Sequence, residues 1–310
     1  MKIRNRFSFW QRVALELVWL KCRIISVMPH WFRYYVIADL LYFLLYKCLK
    51  YRVKVVDKNL ANSFPEKSES ERHEIRKQFY HYLAEIFVST ISLASRRSRK
   101  TILSNTEGAP ISKMRAETIG QSWVALTAHY GLWEYLIFWA QYADQSLVAV
   151  YHPLENKIFD ELFRRLRNHQ NVVTVPLKET IRFCLDHQDG VEGRNYVIGL
   201  IADQNPPRRP NSEWFKFLNQ DSIFFDGGEK IALKLKLPVY FIYQRRISRG
   251  MYQYEYDLIH DGIESVESYE ITRRYIERLE RLIQETPHLW LWSHRRWKHD
   301  PNKWKHSKQQ

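Results

Sequence analysis

The chain has 310 residues and a net charge of +14, from 48 Lys and Arg against 34 Asp and Glu, with 11 Trp, 19 Tyr and 16 Phe. Residues 1–58 hold twelve Lys/Arg and three acids, a balance of +9, and residues 295–310 hold six and one, a balance of +5, so 59–294 is neutral. A nucleic-acid enzyme carries its excess on the body that grips phosphate; basic, aromatic ends on a neutral body argue against nucleic acid and for an anionic membrane surface.

From Phe9 to Met28, the residues Trp10, Val13, Leu17, Leu20, Ile24 and Val27 recur at three- and four-residue steps between Arg12, Glu16, Lys21 and Arg23. That spacing predicts an amphipathic helix. Tyr34 to Tyr46 is nearly continuous in apolar residues apart from Asp39. A helix of that length rises only about 20 Å, short of a hydrocarbon core of about 30 Å. Residues 1–58 therefore read as a basic, apolar unit, either packed on the body or anchoring it to a membrane without spanning it, and not as a cleavable signal peptide. The basic flanks predict that adjoining segments stay cytoplasmic. Residues 59–310 form the second unit.

Asn62-Ser63-Phe64-Pro65 reads as a turn, and Ser68 with Glu71 offers a capping box for a helix whose apolar face is Ile75, Phe79, Tyr82, Leu83, Ile86 and Phe87. Beyond a linker near Arg96 to Lys100, short apolar runs alternate with helical stretches. Strands are expected at Trp123 to Ala128, Leu147 to Tyr151, Val172 to Val175, Tyr196 to Ala202, Val239 to Tyr243 and Tyr252 to Ile259. Helices are expected from Trp133 to Tyr142, over Phe159 to Arg167, around Ile181 and Ile231, and from Tyr269 to Gln284. The alternation predicts an α/β fold, a mixed central sheet flanked by helices with Tyr252 to Ile259 as a half-exposed edge.

The most informative stretch is His129-Tyr130-Gly131-Leu132-Trp133-Glu134. On one continuous helix, residues five apart sit about 140° apart and cannot meet. They can meet if His129 ends a strand, Gly131 takes the turn and Glu134 opens a helix. A carboxylate there would hold the imidazole in one tautomer and leave its other nitrogen to take a proton from a hydroxyl. With 12 His and 34 acids, chance supplies roughly one such pair. The second, His187 to Glu192, lies in the polar segment His187-Gln188-Asp189-Gly190-Val191-Glu192 and reads as an exposed turn.

Asp203-Gln204-Asn205-Pro206-Pro207 follows a strand, where open α/β sheets place ligands; an ordinary polar turn is the competing reading. Tyr151-His152-Pro153 with Asn156, then Arg164, Arg165 and Arg167, also follows a strand, and arginine there could clamp an oxyanion or phosphate. At most one or two of these arginines can face a site; the rest solvate a helix face. His294, His299 and His306 lie among cations in a tail that reads as a basic aromatic interface segment and not as metal ligands. The three cysteines, Cys22, Cys48 and Cys184, form no disulfide or metal spacing. There is no Walker loop, Gly-x-Gly-x-x-Gly or Gly-x-Ser-x-Gly.

Taken in order, Lys58-Asn59-Leu60, Ser63-Phe64-Pro65-Glu66, His129 to Glu134, Tyr151-x-Pro153-x-x-Asn156, Ala202-Asp203-Gln204, Phe224-Phe225-x-Gly227 and Leu289-Trp290-Leu291-Trp292-x-His294-Arg295-Arg296-Trp297-Lys298 resemble the late-step lipid A acyltransferases of Gram-negative bacteria. These are the lauroyl/myristoyl acyltransferases, within the wider glycerolipid acyltransferase class. The resemblance implies acyl transfer from a thioester, usually on acyl carrier protein, to a hydroxyl of a membrane glycolipid at the cytoplasmic face of the inner membrane, with no cofactor. It implies His129 as general base, Glu134 as its orienting partner, Arg165 or Arg167 with Asn156 as substrate contacts, and Asp203 and Gln204 shaping the pocket. His152 stands where many relatives have arginine, and Asp226-Gly227-Gly228-Glu229 departs from the best-known members. An aminolipid, phospholipid or other glycosylated lipid is the alternative acceptor. A thioester hydrolase and a non-catalytic lipid-binding protein are the rivals, and the latter requires that His129 lie out of reach of Glu134 and face no pocket.

Overall fold

The structure is a computed structural model that describes residues 7–98, 109–138, 145–151, 154–168, 171–206 and 212–298. Its strands are β1 (Trp123–Thr127), β2 (Ser146–Tyr151), β3 (Val172–Pro176), β4 (Tyr196–Ile201), β5 (Phe215–Phe217), β6 (Gln220–Ser222), β7 (Val239–Ser248) and β8 (Met251–His260). All six predicted runs enter one sheet of order β3-β2-β4-β1-β7-β8. The first five are parallel and β8 is antiparallel to β7. β1 is buried along its whole length and β4 nearly so, which is why both are unbroken apolar runs. The small β5–β6 hairpin was not anticipated. It turns through Leu218 and Asn219, both at positive φ, and leucine gives no turn signal.

The helices are α1 (Phe9–Val27), α2 at residues 30–48, α3 (Val53–Ser63), α4 (Glu69–Ser92), α5 (Ala109–Thr118), α6 (Lys157–Arg167), α7 (Thr180–Asp186), α8 (Gly227–Leu235) and α9 (Glu270–Glu285). Within α2, α-helical turns alternate with π-helical ones at Arg33–Ile37 and Phe43–Cys48. The capping box at Ser68 and Glu71 opens α4 as read, and an equivalent Ser8–Gln11 box opens α1.

Residue 58 falls inside α3. The N-terminal helices pack on the body through polar ties. Tyr34 Oη lies 2.8 Å from Ser89 Oγ on α4, Arg249 donates to Asp39 at 2.5 Å, and Arg165 on α6 donates to Glu16 on α1 at 2.8 Å. Yet the predicted apolar stripe of α1 points away from that contact. Leu15 and Cys22 are buried, while Trp10, Leu17, Leu20, Ile24 and Val27 are each at least 50% exposed. Trp31, Leu40, Phe43 and Leu49 are exposed as well. Among the described residues, no helix is long and apolar enough to cross a membrane.

Of the basic aromatic tail expected from His294 on, Arg296 is drawn inward while Arg295 and Lys298 stay exposed. Trp290, Trp292 and Arg296 are buried. Asn59 Nδ2 donates to the carbonyls of Trp292 and His294, and the Arg296 guanidinium lies 4.4 Å from the Phe224 ring centre. The Trp290 and Trp292 rings just before this tail complete the core beside the C-terminal ends of the strands. Residues 299–310 lie outside the described set, as do His152, Pro153 and the expected helix end near Tyr142.

The β7–β8 turn holds α2 in place. Gly250 sits at φ +71°, and a Cβ there would come within 2.3 Å of the Tyr34 ring. Gly250→Ala should therefore destabilise the protein by about 2 kcal/mol through strain and overpacking, read as a lower denaturant midpoint at unchanged slope. Unaltered stability would contradict this docking.

Candidate active site

β1 and β4 are neighbours in parallel register, with Thr127 opposite Ile201. Both chains leave the sheet at the same edge, so residues two positions later emerge side by side. Those residues are His129 and Asp203. Asp203 Oδ1 accepts from His129 Nδ1 at 2.7 Å, and Oδ2 accepts from the His129 backbone N–H at 3.0 Å and from Trp290 Nε1 at 2.8 Å. Burial by itself would raise the Asp203 pKa. The His129 charge and the bonds donated by His129 and Trp290 outweigh it and hold the carboxyl below its ordinary value. An ionised carboxylate only accepts, so Nδ1 carries a proton, and in the neutral imidazole the lone pair is on Nε2.

The turn after His129 is fixed from several sides. Gly131 takes φ +62°, and a Cβ there would lie 3.0 Å from Gln244 Cβ, so both backbone and space require glycine. Tyr82 Oη donates to the Gly131 carbonyl at 2.7 Å, and Gln244 Oε1 accepts from the Leu132 N–H. The backbone of Leu289 and Leu291 bonds to Gly131 and His129 on the other side.

Glu134 opens a 3-10 helix, Trp133–Phe138, as the strand-turn-helix reading requires. Its expected partner is different. Both carboxylate oxygens accept from Arg167, from Nε at 2.8 Å and Nη2 at 2.6 Å. Register explains the correction: Asp203 already occupies Nδ1, and Glu134 instead orients a guanidinium. Burial pulls the Arg167 pKa down, but the Glu134 charge and bonds more than compensate and raise it.

The other predicted residues divide. Gln204 Nε2 lies 3.0 Å from His129 Nε2. Arg165 points away from the cavity to Glu161 and Glu16, and Arg164 also binds Glu161. Asn156 is the N-cap of α6, its Oδ1 accepting from the Ile158 and Phe159 N–H groups, so it positions a helix and not a substrate. The second histidine pair is local: His187 Nδ1 donates to the Phe183 carbonyl and its ring stacks on Phe183. Trp290, Gln244 and Tyr82 were missed as site residues. Trp290 lies in the motif that runs from Leu289 to Lys298, and the other two carry no local sequence signal.

A cavity of about 580 Å³ opens beside these groups. Its polar end holds His129, Gln204, Glu134 and Arg167, and apolar walls come from Leu136, Ile137 and Phe163. Gly199, Ala149 and Thr174, in register across β4, β2 and β3, also line it. The histidine thus faces a pocket. The non-catalytic rival required otherwise, and its remaining condition, no His129–Glu134 contact, holds only because Asp203 has taken that place.

Two half-buried histidines give the structure a pH response. Burial lowers the pKa of His288 and of His294 from 6.5 to about 4. Between those values the unfolded chain takes up protons that the fold refuses, so stability falls as pH drops from about 6.5 to about 4. The melting temperature should follow this decline, and His294→Gln should flatten part of it. A melting temperature constant across that window would contradict the desolvation of both rings.

A family model described as bacterial lipid A biosynthesis acyltransferase matches residues 2–299. Comparison with curated proteins returned no significant match. Among solved structures, the chain is similar to the 1-acyl-sn-glycerophosphate acyltransferase PlsC from Thermotoga maritima, at 13% identity over 87% of this chain and 97% of that one, with a TM-score of 0.32. That likeness is too distant to assign residues. The family match spans nearly the whole chain, including both strand ends that meet at the site: the protein belongs to the bacterial lipid A biosynthesis acyltransferase family and is an acyltransferase.

Proposed function

We propose that this acyltransferase moves a fatty acyl chain from an acyl thioester, carried by acyl carrier protein, to a hydroxyl of a lipid A-type glycolipid at the cytoplasmic face of the bacterial inner membrane. The observation that carries the mechanism is the Asp203–His129 pair at the mouth of an apolar cavity. His129 Nε2 takes the hydroxyl proton as the oxygen attacks the thioester carbonyl carbon. Asp203 stabilises the imidazolium that forms. The C–S bond then breaks, and the leaving sulfur receives that proton. No covalent enzyme intermediate is required.

Arg167 answers the negative charge that develops on the carbonyl oxygen. Glu134 grips its Nε and Nη2, and Nη1 takes no part in that pair. A preorganised cation at a desolvated site stabilises a transition state far better than one in water. The apolar wall of Leu136, Ile137 and Phe163 suits the hydrocarbon chain.

The outward apolar stripe of α1, with exposed Lys21 and Arg23 beside it, supports docking flat on an anionic bilayer. The donor, an acidic protein, would be steered by the same positive ends.

His129→Ala should lower turnover by about two to four orders of magnitude with the fold intact, and Asp203→Asn by a comparable factor. Glu134→Gln and Arg167→Lys should reduce kcat more than they change KM. His187→Ala should be silent. Mass spectrometry of products from acyl carrier protein thioesters and a panel of lipid acceptors reads all five and names the acceptor; near-wild-type turnover in folded His129→Ala would defeat the mechanism. In vesicle sedimentation, Trp10→Glu with Leu20→Glu should release the protein from anionic vesicles, and undiminished binding would remove α1 as the docking face.

A further inference from the structure

We propose that Gln204 is a displaceable cap on the catalytic base. The proposal rests on the reading of His129 as that base. Asp203 fixes the imidazole with its proton on Nδ1, so the Nε2 lone pair is the only one available to an incoming hydroxyl. The Gln204 carboxamide nitrogen already lies 3.0 Å from it, in hydrogen-bond contact. A donor amide N–H fits that lone pair, and while it stays there a substrate hydroxyl cannot.

The neighbours of Gln204 show that this contact is loose by construction. Asp203 is pinned by three hydrogen bonds to His129 and Trp290. Asn205 is pinned by His294, the Arg295 carbonyl and Arg296. Between them the backbone is held at both ends, while the described hydrogen bonding of the Gln204 side chain is the single contact with Nε2. That side chain is partly exposed and lines the cavity itself, so it has space to swing into.

The consequence is control over a side reaction. With donor bound and acceptor absent, water that lost its proton to Nε2 would attack the same carbonyl carbon, break the C–S bond and release a free acid and a thiol. A capped base withholds that proton acceptance. An acceptor hydroxyl, held by the rest of its lipid, displaces the amide and restores the base only when transfer can follow.

The test uses the full-length protein without substrate. Diethyl pyrocarbonate modifies unprotonated imidazole nitrogen, and peptide mass spectrometry resolves His129 from the other histidines, with the His187 peptide as internal reference. Gln204→Met, of similar length but without a donor, and Gln204→Ala should each raise the His129 modification rate by about fivefold, the size of one opened hydrogen bond. Donor hydrolysis without acceptor should rise by a similar factor relative to transfer. An unchanged or slower modification rate in both variants would overturn the cap. So would lost transfer with neither modification nor hydrolysis raised, which would place Gln204 on the substrate instead. The modification rate needs no acyl transfer, so failure of the general-base reading would show separately, as an active His129→Ala.

Discussion

Everything around the site depends on one buried carboxylate. Asp203 is 1% exposed and ionised, and an uncompensated charge at that depth costs several kcal/mol. Its compensation comes from distant parts of the chain: the imidazole and backbone N–H at the end of β1, and the Trp290 indole from the C-terminal segment. The need to satisfy Asp203 therefore ties the β1 end, the β4 end and residues 289–297 into one unit. Asn59 on α3 and Arg296 against Phe224 then hold that C-terminal segment down. Loss of the segment would remove a donor from the carboxylate as well as a wall from the core.

A second carboxylate shows how the same chemistry divides between two residues. Glu134 and Asp203 both border the cavity region of His129, and either is chemically able to orient an imidazole. Asp203 does so because it leaves the neighbouring strand at the same level. Glu134 meets Arg167 in a two-pronged pair, which sets the guanidinium plane as a single point contact could not. One carboxylate tunes a base and the other positions a cation.

The N-terminal helices join an exposed apolar surface to the cavity wall. α1 touches α6 through Glu16 and Arg165, and α6 carries Phe163 and Arg167 into the cavity. The apolar stripe of α1 faces outward while a narrower strip packs inward, so a lipid surface and the body can be engaged together. A packed strip and an exposed apolar stripe share one helix, which is why composition alone left the packed and membrane-bound readings of residues 1–58 equally open.

Much of the fold was legible in the chain. Buried parallel strands are continuous apolar runs, the edge strand β8 alternates, and Ser68 with Glu71 marks a helix start, so the six main-sheet strands and most helices follow from local patterns. His129, Gly131 and Glu134 in a strand-turn-helix were likewise readable, because a glycine at positive φ leaves a local signature. Pairing was not. Which carboxylate meets His129 is decided by the β1–β4 register, seventy-four positions apart in sequence, and no local pattern encodes it. The same holds for the basic aromatic end of the chain, whose composition matches a lipid-facing segment but whose Trp290 and Arg296 are drawn inward by Asp203 and Phe224. The sequence by itself determined the elements, the family and the histidine. Only the tertiary structure decided its partner, because hydrogen bonds at a buried charge form between groups that the sheet, and not the chain, makes neighbours.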